Sequence, residues 1–332
     1  MRLAGSVLVP ALRTNWRDNL AGEALELDEK LADKKPEVLS YFRNRALEAI
    51  SEGRATFGEA NYKKRASAIN RALSEERERL VAVLRQVAIR DGWDNEQLLK
   101  ALLLVTYCAN VLMLEARNSI WPYDYMAFSR RVGELWEPFC TLCFEHPVRE
   151  DVSLFVPPLF AEVKDRLSKE IREFIERLPI SAEQRATLLV YYDQVWSLVS
   201  SGEIQLACDL HFVIDKTRFV VDFKSGFGSN EKGNTNRLLL VGSVYRNIEP
   251  EHYRTIILVR AEEEKNNHYL QTLKNSGVWD VYCGPEAYDR IKEYSGFDLG
   301  GWLKENANWP IDLSEDAQTH FHANDLSKYL SW

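Results

Sequence analysis

Asp209, followed by Asp222-Phe223-Lys224, combines residue types and spacing that can do phosphodiester chemistry. Hydrolysis of a phosphodiester requires neutralisation of the phosphate, a water turned into hydroxide near neutral pH, and charge absorbed on the leaving oxygen. A divalent cation held by carboxylates can meet all three needs. Mg²⁺ prefers oxygen ligands and keeps several waters, so Asp209, Asp222 and one backbone carbonyl, taken from Phe223, suffice to hold it. Lys224 would bind the phosphate or the attacking water and stabilise the charged transition state.

A hairpin must position these groups. Ile204 to Ile214 and Arg218 to Phe223 read as its two strands, with Asp215-Lys216-Thr217 as the turn-like residues between them. Side chains alternate along a strand, so Asp222 and Lys224 share one face and Phe223 takes the other. A two-residue loop at Asp215-Lys216 sets position 209 directly across from 222, whereas a three-residue loop shifts the pairing by one unless a bulge restores it. His211 falls on the face of Asp209 and reads as a half-buried strand histidine.

The rest of the chain is largely helical. Apolar residues recur at three- and four-residue spacings from about Glu37 to Arg117, and Asp94 with Gln97 forms a capping box before the last of these helices. Residues 118–122 break the pattern, which divides the chain into a helical region over 1–120, for embracing DNA or for dimerisation, and a second domain over 121–332. In the latter, a helix over Asp124 to Val132 is expected to resume at Pro138, and Val152 to Val156 forms a short strand. Helices over Leu159 to Leu178 and Ser181 to Ser200 make an insertion spanning 157–200. After the hairpin come a Gly/Asn-rich loop and then strands alternating with helices, which implies a mixed sheet with flanking helices. The tail from Gly300 to Trp332 is aromatic-rich and poorly periodic.

With these elements in order, the residues resemble the PD-(D/E)xK nuclease superfamily, which includes most type II restriction endonucleases. Its pattern is an Asp on one strand and an acidic-x-Lys on the next, then a helix and a further strand. Here these are Asp209, Asp222-Phe223-Lys224, Thr235 to Tyr245 and Thr255 to Val259. Many members carry a Glu on an upstream helix, and Gly133-Glu134-Leu135-Trp136-Glu137-Pro138-Phe139 matches that context. The resemblance therefore implies Glu137 as an added acid, with Glu134 as the fallback. Cys208 stands where the pattern has proline, and the second acid is Asp rather than the commoner Glu. The fold implied is α+β, a restriction-endonuclease-like mixed sheet flanked by helices. The activity implied is Mg²⁺-dependent, sequence-specific cleavage of double-stranded DNA. Cutting both strands of a palindrome needs two sites about a two-fold axis, so a homodimer is expected. The alternatives are a low-specificity defence or repair nuclease and a non-catalytic nucleic-acid-binding protein.

Bulk properties fit this expectation once charge is resolved along the chain. The net charge of −8 arises wholly within residues 151–332, while residues 40–90 hold 11 basic and 6 acidic side chains. Lys63, Lys64 and Arg65 in that stretch are candidates for following a phosphate backbone. In the loop after Lys224, Lys232, Asn234, Asn236 and Arg237 are candidates for reading base edges. Cys140 and Cys143 lack a second ligand pair and read as core residues. Five cysteines in 332 residues fit a reducing compartment, and no secretory signal or membrane span is apparent, so a cytoplasmic location is expected.

Overall fold

In the structure, a computed structural model describing residues 7–9, 25–199, 204–228, 231–249 and 251–330, the most apolar stretch of the sequence becomes a buried central helix. It is the third of three long helices, α1 (Lys35–Phe57), α2 (Tyr62–Asp91) and α3 (Asn95–Ile120). A small antiparallel pair, β1 (Val7–Val9) with β2 (Leu25–Leu27), precedes them. The expected capping box starts α3: Asp94 Oδ1 accepts from Gln97 N–H at 2.7 Å, and Gln97 Oε1 accepts from Asp94 N–H at 2.9 Å. No membrane span is apparent in the sequence, yet as a helix this region is long and apolar enough to cross one. Its apolar window is 89% buried inside the protein, which is also the signature of a core helix.

The basic stretch of α2 is partly neutralised by its own glutamates. Glu76, 1% exposed, takes Arg79 on one side and the Tyr41 hydroxyl on the other, each at 2.5 Å.

α4 (Tyr125–Glu145) follows and runs straight through Pro138. The break expected between Val132 and Pro138 is absent. An interior proline forfeits one backbone bond and costs about 3 kcal/mol, but the apolar face of α4 continues across it. Phe128, Val132, Leu135, Trp136, Phe139, Cys140 and Cys143 are all buried, and that packing holds the helix together. The two cysteines lie in the core, as expected.

The chain is α+β: this helical N-terminal region leads into a five-stranded mixed sheet flanked by helices. The strands are β3 (Val152–Leu154), β4 (Leu210–Ile214), β5 (Thr217–Lys224), β6 (Tyr253–Val259) and β7 (Asp280–Cys283), in spatial order 3-4-5-6-7. The first three are antiparallel, and β5, β6 and β7 run parallel. The helical pair α5 (Phe160–Arg177) and α6 (Ala182–Val199) sits between β3 and β4. α7 (Lys232–Ile248) connects β5 to β6, and α8 (His268–Lys274) connects β6 to β7. Both faces of β5 are covered: Val221 and Phe223 pack on the side of α4, with Trp136 edge-on to Phe223, and Val220 packs with Leu238 and Val241 of α7.

The tail is more regular than its sequence suggests. After α9 (Pro285–Ser295), which follows β7, it folds as α10 (Leu299–Asn306), α11 (Trp309–Asp312) and α12 (Glu315–Ala323). The last three helices are too short to display a period, and they seat Trp302, Trp309 and Phe321 in the core. The tail is tied to the N-terminal helices by Asp312, 4% exposed, which accepts from Lys35 Nζ at 2.9 Å and from the Tyr107 hydroxyl at 2.8 Å. Removing one partner of a buried ion pair strands the other charge, so Asp312→Ala should lower stability by about 3 kcal/mol in urea unfolding.

Candidate functional site

The hairpin turn is the two-residue loop. Ile214 pairs with Thr217, leaving Asp215-Lys216 between the strands, and Asp215 adopts a φ of +54°, a left-handed conformation that aspartate tolerates better than most residues. Strand β4 begins at Leu210 rather than Ile204, so its ladder ends at the Leu210 and Val221 pair. One step further, the pairing would set 209 against 222. There the Asp209 side chain replaces the missing backbone acceptor: Phe223 N–H donates to Asp209 Oδ2 at 2.7 Å.

That bond brings the two carboxylates to one ammonium group. Lys224 Nζ lies 4.0 Å from Asp209 Oδ2, stands directly against Asp222 Oδ2, and donates to the Phe223 carbonyl at 3.0 Å. Asp209, Asp222, Lys224 and the Phe223 carbonyl are therefore assembled at one end of β5. Asp222 has no exposed surface, while the side chains of Lys224 and Asp209 retain 17% and 25% exposure. The two Asp222 oxygens are buried and each faces a cation, Oδ2 the Lys224 ammonium and Oδ1 the Arg237 guanidinium. Burial works against the Lys224 charge, but Asp222 and Asp209 more than offset it and raise its pKa. Asp209 is pushed up to about 6, first by burial and then by the charge of Asp222, with Lys224 and the Phe223 N–H pulling the other way.

Glu137 comes near without joining the pair. Among the described residues, no group of three or more His, Cys, Asp or Glu side chains is gathered closely enough to hold a metal ion. Glu137 keeps contact with solvent, yet burial of its carboxyl raises its pKa; Lys224 lowers it and Asp222 raises it, which puts Glu137 within electrostatic reach of both. Glu134 points elsewhere and pairs with Arg131 at 3.1 Å and Arg130 at 3.6 Å. Gly133 marks the close approach of α4 to the chain just past Lys224, where a Cβ would lie 2.7 Å from Ser225 Oγ.

Several residues singled out in the sequence take other places. Helix α7 starts at Lys232, so Lys232, Asn234, Asn236 and Arg237 are helical rather than part of a loop. Arg237 turns inward: one guanidinium nitrogen lies 3.1 Å from Asp222 Oδ1 and another 3.4 Å from the Ala207 carbonyl. A sequence reading assigns this arginine to bases, although a buried carboxylate such as Asp222 requires cations close by. Lys63 and Lys64 are exposed, Lys63 lying 5.4 Å from the centre of the Trp121 ring. Arg65 is buried and donates to the Glu59 carbonyl, which removes it from any outer surface. His211 is more buried than expected. Its Nε2 accepts from Cys208 N–H at 2.9 Å, its Nδ1 has no hydrogen-bond partner among the described residues, and burial lowers its pKa to about 4, so it braces the approach to Asp209 as a neutral ring.

Two clefts, one of about 450 Å³ lined by Phe155, Arg166 and Tyr253 and a smaller one by Lys216 and His252, lie toward the turn end of the hairpin, away from the carboxylates. Comparison of the chain with protein-family models, with curated proteins and with solved structures finds no match in any of the three.

The electrostatics make a prediction about pH. An aspartate whose pKa is higher in the folded protein than the usual 3.8 favours folding at low pH, and that contribution is lost as pH rises through about 6. Asp209→Asn should therefore raise Tm at pH 8 in the absence of divalent cations, and the gain should vanish near pH 4 in a calorimetric series.

Proposed function

We propose that this protein is a metal-dependent nuclease of the PD-(D/E)xK type that cleaves double-stranded DNA in a sequence-specific manner. The observation that carries the reading is the convergence of Asp209, Asp222, Lys224 and the Phe223 carbonyl on one end of β5. The restriction-endonuclease-like order of antiparallel hairpin, helix and parallel strand supports it as well.

The donor set fits Mg²⁺: all of its groups are hard oxygens, and the buried Asp222 carboxylate is faced by the cations Lys224 and Arg237, which marks it as a place for positive charge. Asp209, Asp222 and the Phe223 carbonyl would hold the ion, and Glu137 would join the acidic cluster from α4. When bound, Mg²⁺ supplies charge neutralisation and a water of lowered pKa. The chain's own residues do the rest. Lys224, freed from its three oxygen neighbours, turns its ammonium to the phosphate oxygens, where negative charge grows in the transition state. The Phe223 N–H keeps Asp209 oriented. Arg237 neutralises Asp222 before metal arrives and adds a second cation beside the phosphate. The exposed Lys63 and Lys64 offer contacts to more distant phosphates, and Lys232 and Asn236, exposed at the start of α7, are the remaining candidates for base contacts.

Incubation with plasmid DNA and Mg²⁺ tests the reading. Wild-type protein should give discrete fragments, and Asp222→Ala and Lys224→Ala should each lose about a hundredfold or more in kcat. Activity that survives either change, or that persists in EDTA, would reject the assigned site. A smear in place of discrete bands would select a low-specificity nuclease of the same type.

Arg237 has its own signature. Arg237→Gln leaves Asp222 with one fewer counter-ion, so the variant should melt below wild type in EDTA. Because the guanidinium competes with the cation for Asp222, Mn²⁺ should narrow that gap and bind more tightly to the variant in calorimetric titration.

A further inference from the structure

The insertion between β3 and β4 has an apolar surface that the other described residues leave open. α5 and α6 are joined by a four-residue turn and run antiparallel, held by a bond from the Tyr192 hydroxyl to Ser168 Oγ at 2.8 Å and an ion pair between Arg172 and Asp193. Beside this seam, Ile171 and Phe174 on α5 are 37% and 58% exposed, and Leu188, Tyr191 and Val195 on α6 are 40%, 60% and 58% exposed. Both sets follow the three- and four-residue spacing of a helix face meant for burial.

The two stripes lie on the same side of the hairpin. Ile171 and Phe174 each precede a seam position, Arg172 and the buried Ile175, and Leu188 and Tyr191 likewise precede the half-buried Leu189 and Tyr192. A step of one residue turns a helix by about 100°. In an antiparallel pair the same offset from the shared seam carries both stripes to one side. The result is an apolar face spread over two helices.

Charge decides which partner suits it. α5 carries five basic and five acidic residues, so it has no net charge to attract a nucleic acid, which demands a basic surface, or an anionic membrane, which favours Lys and Arg. A helix with no net charge meets a second copy of itself across a two-fold axis without net repulsion. Two helices of 18 residues, each roughly 27 Å long and packed about 9 Å apart, present a projected face on the order of 500 Å². Side-chain relief raises the accessible area above that figure, toward the roughly 800 Å² per partner of a stable interface. We infer that the α5–α6 hairpin is a dimerisation surface, which packs on the same hairpin of a second copy as a four-helix bundle. The inference does not depend on the metal chemistry, though a two-fold dimer is what double-strand cleavage requires.

Sedimentation velocity on the full chain tests it. Wild type at tens of micromolar should sediment at twice the 38.4 kDa chain mass, and the double variant Leu188→Glu, Tyr191→Glu should sediment as a folded monomer by circular dichroism. Should the glutamates disturb folding, the milder pair Leu188→Ala, Tyr191→Ala should still raise the dimer Kd at least tenfold. Ile89→Glu, at an 84% exposed apolar residue on α2, should leave the dimer unchanged. The inference is overturned by a monomeric wild type, including one that floats with phosphatidylserine vesicles, by a dimer that survives both double variants, or by a dimer lost in Ile89→Glu.

Discussion

Where the β4 ladder stops, the Phe223 N–H donates to Asp209 rather than to a backbone carbonyl, and the geometry around the end of β5 depends on that bond. The bond is made by a side chain at a position where regular pairing has ended, so Asp209 is held beside Asp222 without being locked into the sheet. Asp222 has no such freedom. It is buried on the α7 side of β5, and a carboxylate there is tolerable only with cations in contact. Lys224 and Arg237 meet that demand from the next strand position on the same face and from the second turn of α7. The sheet thus supplies the spacing and the buried charge supplies the need for counter-ions.

The parts of this arrangement that were legible in the sequence are those governed by counting along one strand. Two residues between the strands put 209 and 222 at equal distances from the turn, and alternation put Lys224 on the face of Asp222. The start of α3 was legible for a similar reason, since Asp94 and Gln97 satisfy each other over three residues. What escaped were contacts between distant segments and elements too short to show a period. Arg237 looked like a solvent-facing loop residue because nothing within a few positions of it reveals the carboxylate it meets. Arg65 looked exposed because a run of basic residues hides the one that folds inward. The tail looked irregular because helices of four to nine residues carry too few turns to reveal a face.

The helical continuity of α4 shows the opposite failure. Local rules place a break at Pro138, and they misjudge the case because tertiary packing on both sides of the proline outweighs one lost hydrogen bond. The acidic residues of that helix were distinguished in the sequence only by resemblance to a motif. Their environments now separate them physically: one feels Lys224 and Asp222, and the other is paired with neighbouring arginines.

The contact between Gly133 and Ser225 accounts for that separation. Where a helix touches its neighbour through a residue with no side chain, it can neither roll nor retreat without opening a gap or colliding, so its azimuth is set at that point. Glu137 lies one full turn further on and inherits the direction in which Gly133 faces, toward the segment that follows Lys224. Glu134 is rotated by about 100° from that direction and is carried away from it. The absence of a methyl group at position 133 thus selects which acid on α4 looks toward the end of β5.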